Sequence, residues 1–148
     1  PACRAPHTCL HPLNRLARPN RALWENDQDW DGFEWLVADD NRNNVLVFLR
    51  RDRTGHELIC AVNFAPVPWE NYRFGVPDKA AYQVLFNTDD ACWGGSGCAA
   101  PSGTELTVEA IPSHGKDQSL SLTIPPLGAV LLRGHGKRKH KRTGGTQG

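Results

Sequence analysis

Ser119-Leu120-Ser121-Leu122-Thr123-Ile124 decides the fold. Small polar and apolar residues alternate strictly along it, the signature of an antiparallel strand with one face buried. Pro125-Pro126 ends the run, since proline cannot donate to a sheet ladder. Working outward, strand-like runs recur at 33–38, 45–49, 57–64, 72–76, 81–86, 104–110 and 129–133. Turn chemistry separates them: Asp and Asn over 39–44, Thr54-Gly55 within 50–56, and Pro77-Asp78-Lys79. Residues 57–64 are apolar on both faces, which places that strand centrally in a sheet. About eight short strands with turns between them predict an all-β, antiparallel sandwich.

The regions outside these runs read differently. Residues 1–12 are rich in Pro, His and Cys without a period and are expected to be irregular. In residues 13–28, Leu13, Leu16, Ala17, Leu23 and Trp24 have helical spacing, but Pro19 interrupts it, so a short or broken helix is expected. The sandwich is assigned to 29–133 and a basic, disordered tail to 134–148. A loop of roughly 17 residues, 87–103, carries Gly94-Gly95-Ser96-Gly97 and is long for a compact domain.

At 148 residues, 39% hydrophobic and 22% charged, the chain has one globular domain's worth of material. No apolar run nears the ~18 residues of a membrane span, and 1–12 lacks the apolar stretch of a signal peptide. The chain starts at Pro1 and holds no methionine, so it is read as a piece of something larger, a processed product, or a gene that has lost its beginning. Net charge is +1, but residues 134–148 hold five Lys/Arg and no acid, leaving the body with 12 basic and 16 acidic groups, a net of −4. A nucleic-acid-binding body would carry the positive charge itself. Neither nucleic acid nor membrane is expected as a partner.

Chemistry-bearing residues are few. Five cysteines at 3, 9, 60, 92 and 98 form no C-x-x-C pair, and this usage suits a reducing cytoplasm. Cys60 lies in an apolar run and reads as a small hydrophobe. Cys92 and Cys98 flank the glycine-rich loop, where two reduced thiols are favoured over a bridge. Cys3, His7, Cys9 and His11 have spacing for a surface zinc site, but Pro6 and Pro12 bracket the histidines, and no metal is expected. Glycoside chemistry needs two carboxylates about 5–5.5 Å apart for retention. Asp31, Glu34, Asp39 and Asp40 cluster in sequence but read as solvated turn carboxylates. Ser96 lacks the strand-to-helix elbow of a hydrolase nucleophile. Trp69, Tyr72 and Trp93 lie in or near loops and are open either to stacking on a sugar or to covering core edges.

A series of short motifs runs along the chain: Leu13-Asn14-Arg15-Leu16, Ala22-Leu23-Trp24-Glu25 and Gly32-Phe33-Glu34-Trp35, then Asn63-Phe64-Ala65-Pro66-Val67-Pro68 and Tyr72-Arg73-Phe74-Gly75-Val76. Leu85-Phe86-Asn87-Thr88-Asp89, Gly94-Gly95-Ser96, His114-Gly115 and the run from Ser119 through Leu127 complete the set. In order and spacing, these resemble the C-terminal end of the bacterial 1,4-α-glucan branching enzymes. The likeness stops before Leu13 and again before the basic tail.

That resemblance implies an α-amylase superfamily architecture, with residues 13–25 as the last helix of a (β/α)8 barrel followed by a C-terminal β-sandwich. The family cuts an α-1,4 glucan, holds it covalently and transfers it to a 6-hydroxyl. Its nucleophilic Asp, acid/base Glu and second Asp lie in barrel loops, so no catalytic residue is assigned here and no cofactor is expected. The implied partners are α-glucan and the catalytic barrel, and the barrel-facing side should expose an apolar patch. The alternative is a free-standing glucan-binding module acting through Trp69 and Trp93. A tail binding an anionic surface ranks last.

Overall fold

A computed structural model describes residues 32–90 and 96–137, with 15, 18–20 and 22 ahead of them. Eight strands follow in order: β1 (Phe33–Asp40), β2 (Val45–Arg51), β3 (Glu57–Asn63), β4 (Trp69–Val76), β5 (Lys79–Asn87), β6 (Glu105–Thr107), β7 (Gln118–Ile124) and β8 (Gly128–Lys137). All pairings are antiparallel. Six strands form one sheet in the order β1-β2-β3-β8-β5-β6, and β4 and β7 form a second. The helix expected within 13–28 falls mostly outside the described residues. Among those described, no helix is long and apolar enough to cross a membrane.

The core lies between the two sheets. Leu120, Leu122 and Ile124 of β7, with Phe74 and Val76 of β4, pack on Val47, Leu49, Ile59, Ala61 and Leu132. The alternation that marked β7 is therefore a real inside-outside pattern, with Ser121 and Thr123 half-buried on the opposite face. Strand β3 is interior, between β2 and β8, as its two apolar faces require.

Strands β1, β2 and β5 each run about two residues beyond the expected ends, and three boundaries differ by more, each for a physical reason. Strand β4 begins at Trp69, not at residue 72, because a register shift between Trp69 and Tyr72, with Asn71 at φ 52°, breaks the period-two signal. The run expected over 104–110 pairs with β5 only at 105–107. It then changes sheets, and Glu109 exchanges two 2.9 Å backbone hydrogen bonds with Ser119 of β7. Strand β8 runs on through Gly134, His135 and Gly136 to Lys137, pairing with Lys79, Ala81 and Tyr82 where a disordered tail was expected to begin. Two glycines disguised it, as they carry no side chain to show alternation.

Gly75 is required by close approach. A Cβ there would sit 2.0 Å from the Ser113 carbonyl oxygen and 2.9 Å from Lys116 Cβ. Asn63, 1% exposed, shapes the β3–β4 connection: its Oδ1 accepts from Ala65 N at 2.8 Å and its Nδ2 donates to Val67 O at 2.8 Å.

Candidate functional site

Trp69 and Tyr72 lie together on β4, facing the β1–β2 turn. The Trp69 indole donates Nε1–H to Asn43 O at 2.8 Å, and the Tyr72 hydroxyl donates to Asp40 Oδ2 at 2.5 Å. Asn43 Nδ2 also donates to Asp40 Oδ2 at 2.8 Å, closing the turn on itself. Burial would raise the Asp40 carboxyl, but the hydrogen bonds from Tyr72 and Asn43 outweigh it and hold its pKa below the ordinary value. Both aromatics pack against the core while remaining half-exposed. These contacts pin the ring orientations and tie the two sheets together. Trp93 lies outside the described residues.

The other carboxylates singled out by sequence do not converge. Glu34 and Asp40 lie six residues apart on one strand, roughly 20 Å at about 3.3 Å per residue. A glycosidase pair spans about 5–9.5 Å. Glu34 is held in a charge network: Arg51 Nη2 donates to Oε2 at 3.0 Å, and the Lys116 ammonium pairs with Oε1. Arg51 Nε also meets Glu57 Oε1 at 2.9 Å. Burial works to raise Glu34, yet Lys116 and Arg51 together bring its pKa below normal, which suits an ion-pair partner and not a proton donor. Asp39 is exposed, and Asp31 lies outside the described residues.

Ser96 is a loop organiser. Its hydroxyl donates to Asp89 Oδ2 at 2.6 Å and its N–H to Oδ1 at 2.9 Å. Cys98 is a free thiol whose Sγ lies 3.0 Å from the same carboxylate. No histidine stands within this hydrogen-bonded group, so a Ser–His arrangement is not formed there. Among the described residues no group of three or more His, Cys, Asp or Glu side chains is gathered in a way that holds a metal. Cys3, His7, Cys9 and His11 lie outside them.

Sequence reasoning did not place an apolar face on the outside of the six-stranded sheet. Trp35, Phe48, Cys60 and Leu131 are direct cross-strand partners in one row, and Leu46 and Val62 in the next. Trp35 is 51% exposed and meets Phe48 edge-on, ring centroids 5.9 Å apart. Phe33 stacks on Phe48 at 5.5 Å. The signal was in the strands themselves: Leu46-Phe48 and Val45-Val47-Leu49 make both faces of β2 apolar, though only one meets β4 and β7.

Residues 35–135 match the family described as alpha amylase, C-terminal all-beta domain. The chain belongs to that family. An alpha-amylase C-terminal domain is thus the setting for both the Trp69–Tyr72 cluster and the apolar face. The domain is 42% identical over 135 residues to the 1,4-alpha-glucan branching enzyme GlgB of Cupriavidus pinatubonensis (strain JMP 134 / LMG 1197). That match takes in 90% of this chain and 18% of the relative, so the chain spans under a fifth of that protein's length. Among solved structures it is similar to the alpha-amylase from H. orenii, at TM-score 0.46 and 18% identity, covering 85% of this chain and 20% of that one.

Proposed function

We propose that this chain is the C-terminal β-domain of a 1,4-α-glucan branching enzyme of the cytoplasm, catalytically silent alone and serving a catalytic barrel carried by preceding chain. The observation that carries this reading is the 42% identity to a branching enzyme over 90% of the chain. The dispersed carboxylates support it: Glu34 is neutralised by Arg51 and Lys116, and Asp40 is tied to Tyr72. In this reading the whole enzyme transfers α-1,4 glucan segments to 6-hydroxyls, and the sandwich stabilises the barrel and helps hold glucan. Trp69 and Trp93 are the glucan contacts assigned to it.

The test incubates the purified chain with amylose and measures new α-1,6 branches by debranching and chain-length analysis. None are expected from the chain alone; branching by the isolated chain overturns the assignment. Retardation in a glycogen-containing native gel, lost in Trp93→Ala, places the glucan contact. Strong retardation of a chain that gives no active enzyme when joined to a barrel favours the free-standing binding module.

A further inference from the structure

We infer that the C-terminal end of β8, with the basic run that follows it, is a binding surface for the phosphate backbone of a single-stranded nucleic acid. This goes beyond the branching-enzyme reading and does not depend on it. Sequence alone sets residues 134–148 apart as a disordered tail, and a basic tail without a scaffold has nothing to hold its charges in place. The fold supplies the scaffold. Strand β8 stays paired with β5 through His135 opposite Ala81 and Lys137 opposite Lys79. From Lys137 the sequence continues as Arg138-Lys139-His140-Lys141-Arg142, with no acid after it. The basic run therefore starts from a fixed strand, and the strand adds to it.

Arg133 and His135 are what the strand adds. Leu132 is buried in the core, and a Cβ at Gly134 would lie 3.0 Å from the buried Tyr82 ring. Those two positions face inward, so Arg133 and His135 face out. Every second residue of an extended strand lies ~6.6 Å further on, close to the repeat of a single-stranded phosphate backbone, so such a row follows one backbone from phosphate to phosphate. Among the described residues, neither Arg133 nor His135 has an ion pair or a side-chain hydrogen bond. Asp52 and Glu57 line one small cleft with Arg133, but they are buried and committed, Asp52 to Thr54 and His56 and Glu57 to Arg51. Lys79 and Lys137 are direct cross-strand partners, and like charges placed opposite each other cost stability that a bound anion restores.

The expectation of no nucleic-acid partner rested on the net −4 of residues 1–133. That sum includes carboxylates of β1 already tied up, Glu34 by Arg51 and Lys116 and Asp40 by Tyr72. The surroundings then select the class of polyanion. Toward β5 and β6, the row of Arg133 continues with Gln83 and Glu105, and the row of His135 with Ala81 and Thr107. None of these is a large apolar side chain that would anchor in a lipid headgroup layer. Cations meeting a line of phosphates need no such anchor, and contacts to phosphate alone read no base sequence.

The test titrates the full 148-residue chain onto a fluorescein-labelled polyuridylate oligomer by anisotropy across a salt series, with phosphatidylserine vesicles as the second probe. Arg133 and the five Lys/Arg of residues 134–148 make the contacts, so the logarithm of affinity is expected to fall with that of salt at a slope of about −4. Arg133→Gln combined with His135→Gln is expected to weaken binding at least fivefold at low salt and to make the slope shallower. Removal of residues 138–148 is expected to weaken it at least tenfold. Arg42→Gln removes the same charge from the β1–β2 turn at the other end of the sheet and is expected to leave affinity within twofold. Melting temperatures confirm that each variant folds, and if the double variant does not, Arg133→Gln alone is read by the same criteria. Equal affinity of the folded double variant and the native chain overturns the strand-borne surface. So does binding that ignores salt, and so does capture by the vesicles without binding to the oligomer, which makes the partner a lipid surface.

Discussion

The Tyr72 hydroxyl on β4 donates to the Asp40 carboxylate at the end of β1 across 2.5 Å, joining the smaller sheet to the edge of the larger one. A hydrogen bond to a charged acceptor contributes about 1.5–3 kcal/mol when its loss leaves the partner unsatisfied. Because Asp40 keeps Asn43 as a second donor, the lower end applies. Tyr72→Phe is expected to cost about 1.5 kcal/mol, a fall in melting temperature of about 5 °C, measured by circular dichroism at neutral pH.

Asp52 contributes to acid stability, alongside Asp89, Glu34 and Asp40, whose carboxyls are also held below their ordinary values. Burial would raise its carboxyl, but hydrogen bonds from the Thr54 hydroxyl and the His56 backbone and ring, with Thr54 N–H, bring it down to about 2 from an ordinary 3.8. A depressed folded pKa means the unfolded chain takes up the proton first, so the contribution is fully present above about pH 4 and is lost as pH falls toward 2. Urea denaturation at pH 6, 4 and 2.5 should show a steep loss in the native chain. Asp52→Asn should be less stable by about 2 kcal/mol at pH 6 and show a shallower acid slope.

Gly75→Ala tests the close approach of β4 to the turn at Ser113. The new Cβ would lie 2.0 Å from a backbone oxygen, which cannot swing aside as a side chain can. A loss of about 3 kcal/mol is expected. Gly55→Ala is the control, with open space around its Cβ position but φ +87°, so that it reports backbone strain alone at about 1 kcal/mol. Equal stability of Gly75→Ala and the native chain would contradict the packing of that turn.

The two described thiols should react at different rates. Burial pushes Cys60 up to about 11, so little thiolate forms at pH 8. At Cys98 the Ser96 hydroxyl favours the thiolate, but desolvation and the neighbouring Asp89 outweigh it and the pKa is raised, though the side chain is exposed. Alkylation at pH 8 followed by peptide mapping should modify Cys98 within the folded state. Cys60 should be protected until denaturant is added.

How far the sequence carried the fold follows from where its signals were clean. Strand β7 alternates without interruption and was placed to within one residue. Strand β3, apolar on both sides, was placed inside its sheet. Blurring came wherever the backbone left the regular pleat: the bulge at Asn71 hid the start of β4, and Gly134 and Gly136 hid the end of β8. The candidate site was less legible, because its meaning lies in partners distant along the chain. Glu34 meets Lys116 82 residues away, and Tyr72 meets Asp40 32 residues away, pairings that no local pattern announces. The apolar outer row of Trp35, Phe48, Cys60 and Leu131 could not be placed from sequence, because its position depends on which side of β2 the smaller sheet covers.

Strand β8 sits between β3 and β5, so the strand that joins the two halves of the large sheet is the last to be synthesised. While the chain is being made, β1-β2-β3 and β5-β6 can each pair locally, but each keeps an open edge of unsatisfied amides and carbonyls. Neither half can close on the other until the ribosome has delivered residues 128–137. Completion of this domain therefore waits for a long-range final step, slow by topology, and a chain released before residue 128 would be left with two adhesive edges and nothing to seal them.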